Sequence, residues 1–452
     1  MNSASQRQSV FDFHGKPPLL KALPLSLQHI LAMIMGTVTV PIIVVGAVGA
    51  SLADKMALIQ ISLIFSGVST LIQLYAIGRF GARLPAIFGV GFAYVPTLTA
   101  VGAQYGLSGI LGAQIAGGVA MMVVGLFTRH LRQWFPPVVA GVVVLVIGLS
   151  LYDIAINYMA GGVGSADFGA PVNWFLALAT LLVVLFVSQF CQGFLKLASI
   201  ICGIGVGYGM ALALGRVDFT PVLNAPWFTL PQPLSFGLSF HGPAMVSMVI
   251  ICVINSVQTI GDLSATTVGG MNRELETREL YGGLLGNGLC TALGSFFGAL
   301  PTSSYSQNVG IVAMTKVISR YVLALAALFM LAAGFVPKFG ALMTTIPLPV
   351  LGGATVMVFG MITVTGIRLI TKDEMSSRNI TIASLALALS MGVYAVPESI
   401  ARFPEVVQLV IGGSPIVIAA LVAFTLNVIL PRRSLADEEA EREAVEARLS
   451  EG

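Results

Sequence analysis

Charge is what this sequence has least of. Asp, Glu, Lys and Arg make up 10% of its 452 residues, while hydrophobic residues make up 56%; a soluble domain carries about 25% charged residues. The charges gather at the ends and in short clusters, leaving apolar runs of roughly 20 residues, the length that crosses a bilayer's hydrocarbon core. Lipid offers the peptide group no hydrogen-bond partner, so such runs must be helices. Cysteine is scarce too. Cys191, Cys202, Cys252 and Cys290 stand singly inside apolar stretches, which argues against a disulfide or metal framework. There is no basic stripe for nucleic acid. There is also no nucleophile–base pair, phosphate loop or metal cluster, so neither an enzyme nor a cofactor is expected. The opening MNSASQRQSVFDFHGKPP lacks an apolar core before a cleavage site, so no removable signal peptide is expected.

What the chain does have is fourteen candidate membrane segments, near 24–47, 56–78, 84–101, 107–127, 136–158, 173–192, 197–215, 243–265, 280–300, 302–315, 319–337, 347–369, 379–396 and 405–430. The third and tenth are short and irregular. The uncharged stretch 217–241, rich in Pro, Phe and Trp, reads as a connector at a membrane surface. With the N-terminus placed in the cytoplasm, 19 of the 23 Lys and Arg fall on that side, among them Arg7, Arg79, Arg83, Arg129, Arg132, Arg273, Arg278, Lys316, Arg320, Arg432, Arg433 and Arg448. The other side keeps only Lys55, Arg216, Lys338 and Arg402. That asymmetry follows the positive-inside rule, and an odd number of spans would scramble it. Both termini are therefore expected in the cytoplasm, and 434–452 as a solvated helix there.

An internal repeat divides the chain. PPVVAGVVVLVIGL (136–149) aligns with LPVLGGATVMVFGM (348–361), pairing Pro137 with Pro349, Gly141 with Gly353 and Gly148 with Gly360. Seven segments separate the copies, so they cross in opposite directions, an inverted repeat of the kind that places a binding site at mid-membrane. The same offset of 212 sets FGVGFAYVPT (88–97) against PTSSYSQNVG (301–310), with Phe92 falling opposite Ser304. Paired broken segments point to a substrate site.

Polar groups inside spans are costly, roughly 2.5–3.5 kcal/mol for a mid-helix Asp, and are therefore functional candidates. The set is Gln28 and His29 in the first segment, Gln258 and Asp262 in the eighth, Asn287 in the ninth, and Gln307 and Asn308 at the break of the tenth. Gln258 and Asp262 are spaced i, i+4 and share a helix face. Gln307 and Asn308 open a half-helix, where unpaired amides carry the positive dipole end. Such groups suit a flat heterocycle with alternating N–H and C=O edges, with Phe92 or Tyr94 stacking on its face. Asn287, between two glycines, also reads as interhelical glue, and His29 as a packing histidine.

SYSQNVGIVAMTKV (304–317) resembles the signature of the nucleobase–ascorbate transporter family, with Gln307, Asn308, Gly310, Thr315 and Lys316 filling its specified positions. LQHILAM (27–33), IGDLSAT (260–266) and VLGGATVMVFGMITVTGIR (350–368) resemble the family's motifs in the first, eighth and twelfth spans. The resemblance runs from Pro24 to Leu430. It implies an all-α fold of fourteen spans in two inverted seven-segment repeats, with short antiparallel strands in segments 3 and 10. The implied domains are a cytoplasmic segment (1–23), a core (24–135 and 243–340), a gate (136–216 and 341–430), a connector (217–242) and a tail (431–452). It further implies uptake of a purine base, xanthine or urate, coupled to protons rather than sodium, by a homodimer joined through its gates in a bacterial inner membrane. Residue by residue, Gln307 and Gln258 would hold the base. Ala93 and Ser306 would give backbone contacts, Phe92 and Tyr94 stacking, and His29, Asp262, Asn287 and Asn308 support or coupling.

Two positions depart from the pattern. The family has Glu where this chain has Gln258, and many members have Asp at Asn287, which removes the usual proton acceptor. A carrier coupled through Asp262 alone, a facilitator, and an introduced Glu-to-Gln replacement all fit. Uracil or ascorbate uptake within the family and an anion carrier on the related seven-plus-seven fold are the alternatives.

Overall fold

Short turns and capping residues cut the apolar runs into helices. The computed structural model describes residues 11–131, 136–431 and 434–450. Arg7, Arg132, Arg432 and Arg433, and the side chains of Arg129 and Arg448, lie outside the described residues, so part of the expected charge asymmetry does too. In order, the elements are α1 (Leu19–Val48), α2 (Leu52–Tyr75), β1 (Phe88–Val90), a 3-10 turn (Phe92–Tyr94), α3 (Val95–Leu131), α4 (Pro137–Ser150), α5 (Tyr152–Met159), α6 (Pro171–Phe190), α7 (Phe194–Leu197), α8 (Ser199–Ala213), α9 (Thr220–Asn224), α10 (Gly242–Met271), α11 (Thr277–Phe297), β2 (Thr302–Ser304), α12 (Ser306–Thr315), α13 (Arg320–Gly334), α14 (Pro337–Thr344), α15 (Leu348–Ile370), α16 (Ser377–Ala395), α17 (Glu405–Val407), α18 (Pro415–Ile429) and α19 (Leu435–Ser450).

Among the described residues, eight helices are long and apolar enough to cross a membrane, or ten when each of two bent pairs counts as one span. The fourteen expected segments follow the same order. Segments 3 and 4 share α3, which breaks at Gly106 with φ 66° and ψ −170°, a left-handed φ that glycine adopts without strain. The segments that fail on length or composition are short, such as α8 with 15 residues and α12 with 10, or glycine-rich, such as α11. Between α1 and α2 the turn is three residues, Gly49 closing one helix and a Ser51–Asp54 capping box opening the next, which satisfies otherwise orphaned backbone groups.

The repeat is visible in how α4 and α15 pack. Pro137 and Pro349 both sit in a first helical turn, where the missing N–H costs nothing. A Cβ on Gly141 would lie 2.6 Å from the Ile370 amide nitrogen, and one on Gly353 would lie 2.1 Å from the Ala177 carbonyl oxygen. Both glycines therefore permit close backbone crossings. The third pair diverges, since Gly148 is pressed against Thr363 while Gly360 has open space.

The chain forms two compact units, Met1–Thr128 with Asp153–Met357, and Arg129–Tyr152 with Val358–Gly452. The division runs through the expected fifth and twelfth segments and keeps α6 and α8 in the first unit. Within that unit, Arg216 donates to Asp167 at 2.6 Å and to Asn173 at 3.0 Å. The Arg216 guanidinium holds the Asp167 carboxyl below the usual carboxylate range. The segment before α1 also docks there. Phe11 and Phe13 accept backbone hydrogen bonds from Ile318 and Arg320, and the Arg320 guanidinium lies 5.6 Å from the Phe13 ring centroid and 5.2 Å from that of Tyr75. In the second unit, α19 forms as expected, but its first turn is not free. The Glu438 carboxylate accepts from Ser377 N–H and Oγ–H at the start of α16, where a negative charge complements the helix dipole.

The last residue of the signature motif has a mechanical role. Lys316 closes α12 in the left-handed region, φ 57°, and its ammonium donates to the Gly269 carbonyl and the Asn272 side chain at the end of α10. Lys316→Met should therefore lower stability by on the order of 1 kcal/mol, seen as a lower midpoint of heat-induced aggregation, with ligand affinity unchanged. An altered affinity at unchanged stability is the result that contradicts this.

Candidate substrate site

All the candidate residues lie in the first unit, around a two-stranded ribbon. β1 and β2 pair antiparallel, Phe88 with Ser304, Gly89 with Ser303 and Val90 with Thr302. The broken segments therefore meet, and each strand runs straight into a half-helix, β1 into the turn at Phe92 and β2 into α12 at Ser306. The facing residues Val90 and Thr302 are 212 positions apart, the same offset as the α4/α15 prolines, so the strand register is compatible with the alignment that sets Phe92 opposite Ser304.

At the end of β2, the Asp262 carboxylate from α10 accepts from Ser304 Oγ at 2.5 Å and Ser306 Oγ at 2.7 Å. One oxygen thus takes the last strand residue and the other the first helical residue. Gln258 lies a turn earlier on the same face, and its Oε1 is 3.5 Å from Asn255 Nδ2. Gln307 is half-buried; among the described residues its side chain has no hydrogen-bond partner, so its amide is available to a guest. The amides of Ser306 and Gln307 open α12 without intrahelical acceptors, while those of Asn308 and Val309 reach Tyr305 O.

Other candidates are engaged with the protein. Asn308 Nδ2 donates to the His29 carbonyl at 3.1 Å and lies 3.1 Å from His29 Nδ1, joining α12 to α1. Asn287 Oδ1 accepts from Thr302 Oγ at 2.7 Å, tying α11 to β2. Among the described residues, Asn308 Oδ1, Asn287 Nδ2 and Gln28 Oε1 are buried without partners. Tyr94 is fully buried, its hydroxyl 2.8 Å from Asn255 Oδ1 and 3.1 Å from Thr302 O. Phe92 is 7% exposed and Ala93 4%.

Sequence reasoning missed several residues of this network. Asn255 donates to Ser303 Oγ at 2.8 Å; it stands at i−3 from Gln258 and i−7 from Asp262, so helical spacing could have found it. Tyr305 donates to Val90 O at 2.8 Å, within 3.0 Å of Thr37 Oγ. It lies inside the string that carries the signature, outside the specified positions. The Tyr305 ring fills space that two glycines leave open, a Cβ on Gly36 coming within 2.8 Å and one on Gly89 within 2.6 Å. Gly89→Ala should overpack this spot, at a cost of about 1–3 kcal/mol, and lower both thermal stability and purine affinity. Unchanged melting with unchanged affinity would count against that packing.

Residues 20–399 match the model described as the permease family. The uric acid permease PucK of Bacillus subtilis (strain 168) is 37% identical over 410 residues, 90% of this chain and 95% of the relative. The xanthine permease of the same organism is 36% identical over 412 residues, covering 90% and 93%. Among solved structures, the transmembrane domain of the cyanobacterial bicarbonate transporter BicA aligns with a TM-score of 0.58 at 18% identity, covering 89% of this chain and 97% of that one, a likeness of fold that accords with two inverted seven-segment repeats. With its broken segments joined as a ribbon and its apolar helices passing repeatedly through the membrane, the chain belongs to this family of permeases, the nucleobase–ascorbate transporters.

Proposed function

We propose that this multi-pass membrane protein takes up a purine base, xanthine or urate, by alternating access. The observation that carries the reading is the Asp262 carboxylate held by Ser304 and Ser306 where β2 enters α12, with Gln258 a turn away on α10 and Gln307 next to Ser306, beside relatives named as uric acid and xanthine permeases. A purine edge alternates donors and acceptors, and a carboxamide matches either. Gln307, with its amide unengaged, holds one edge and Gln258 the other. The amides at Ala93 and Ser306 add contacts from the half-helix starts, where dipoles favour electron-rich groups. Phe92, less enclosed than Tyr94, is the better stacking surface. Asp262, His29, Asn308 and Asn287 hold the frame. An inorganic anion would call for cations, and the hydrogen-bonded set around the ribbon consists of amides, hydroxyls, one carboxylate and one imidazole.

In this reading the core (24–135 and 243–340) moves against the gate (136–216 and 341–430). Two copies join through their gates in a lipid bilayer, a bacterial inner membrane, with both termini in the cytoplasm. Proton coupling is the family's expectation, and Gln258 weakens it. The test is competition for radiolabelled xanthine on the reconstituted protein. Urate should displace it strongly and uracil or ascorbate weakly. Displacement by uracil or ascorbate at lower concentrations than urate would overturn the purine reading.

A further inference from the structure

The ribbon is three pairs long, too short to hold itself, and at membrane depth its peptide groups have no water to turn to. Antiparallel pairing alternates. Gly91 N–H donates to Pro301 O and Tyr305 N–H to Ile87 O, so Gly89 and Ser303 form the hydrogen-bonded pair between them. The peptide groups of Phe88, Val90, Thr302 and Ser304 then point away from the ribbon. Side chains meet them. Thr70 Oγ donates to Phe88 O at 2.9 Å and accepts from Phe88 N at 3.1 Å, and Thr291 Oγ accepts from Thr302 N at 3.2 Å. The outward carbonyls of the facing pair Val90 and Thr302 are closed by two tyrosines in a crossed sense. Tyr94, beyond β1, reaches Thr302 on β2, and Tyr305, beyond β2, reaches Val90 on β1.

We propose that Tyr94 and Tyr305 are positioning residues that fix the spacing between the two half-helix starts, and that their hydroxyls, rather than their rings, set how sharply the carrier separates one purine from a near relative. Tyr94 ends the 3-10 turn, next to Phe92 and Ala93, and Tyr305 is the N-cap residue of α12, next to Ser306 and Gln307. Each hydroxyl also meets a helix, Tyr94 at Asn255 of α10 and Tyr305 at Thr37 of α1. Removing the Tyr305 hydroxyl takes the donor from the Val90 carbonyl, and removing that of Tyr94 takes away the one proton shared between Asn255 Oδ1 and Thr302 O; either loss is costly in a buried site and lets that strand end shift. A flat guest read on two opposed edges is sensitive to such a shift, because discrimination depends on polar groups of the site being left unpaired by the wrong ligand. The rings are not at issue, since a phenylalanine fills the same space as Tyr305 over Gly36 and Gly89 and as Tyr94 beside Gly91.

The test uses the full-length protein with Tyr94→Phe, Tyr305→Phe and the double variant. Tyr208→Phe is the control, its hydroxyl bonding Thr345 Oγ at 2.7 Å away from the ribbon. Dissociation constants for xanthine, urate and 1-methylxanthine give affinity ratios. Either ribbon variant should narrow the ratios by about tenfold, the double by less than the product of the two, and the control not at all. Thr70→Val should narrow them as well and Thr70→Ser should not, which gives an answer if a tyrosine variant does not fold. Ratios preserved in these variants, or an equal weakening for every ligand, overturn the proposal. Because it rests on the purine reading, the wild type comes first. A wild type that binds no purine sinks that reading, whereas a discriminating wild type with equally discriminating Phe variants sinks only the brace.

Discussion

Asp262→Ala is expected to reduce xanthine uptake more than a hundredfold while the protein still reaches the membrane. The carboxylate is the shared acceptor for Ser304 and Ser306, so its removal strands two hydroxyls at about 1–3 kcal/mol each and unties α10 from the junction of β2 and α12. Insertion does not suffer, because a mid-span Asp itself costs roughly 2.5–3.5 kcal/mol. Asp262→Asn should fall between, as an amide can accept from one serine but must donate to the other. Initial uptake rates and the amount of purified protein separate the two effects. An alanine variant transporting within about threefold of the wild type would remove Asp262 from the site.

The second large effect is a gain. A carboxamide at position 258 keeps hydrogen bonds to a base but cannot titrate, so the wild type should bind xanthine and equilibrate it without strong accumulation. Gln258→Glu should restore coupling. With one proton per base, accumulation would rise by up to about tenfold per unit of inward pH gradient. Proteoliposomes with an imposed gradient and a protonophore control measure this directly. If Gln258→Glu accumulates substrate no better than the parent chain, position 258 is not the missing acceptor, and Asp262 alone or an uncoupled carrier becomes the better account.

Much of this was legible because membrane chains are constrained by solvent more than by detailed packing. Apolar length marked the segments, and glycine and serine marked the breaks at 88–97 and 301–310. The price of burying Asp262, Gln258 and Asn308 singled them out. The two strands came from the family resemblance, since three residues of Phe-Gly-Val carry no strand signal of their own. What stayed hidden was long-range. Tyr94 meets Asn255 and Thr302, partners more than 150 positions away, and neither side of that contact departs from ordinary helix composition. The docking of Glu438 on Ser377 was missed for a different reason, as a charged tail helix reads as solvated wherever it lands.

The Lys316 clasp changes what the signature motif can be used for. Its Gln307 end lies in the first turn of α12, just after the ribbon, and its Lys316 end, a half-helix away, staples two helix termini. One short string thus encodes both a recognition element and an architectural fastener. A permease can keep the fastener intact while its cargo changes, so ranking substrates by overall similarity across this string would mix two unrelated selection pressures. Only the first residues of the string should track the cargo.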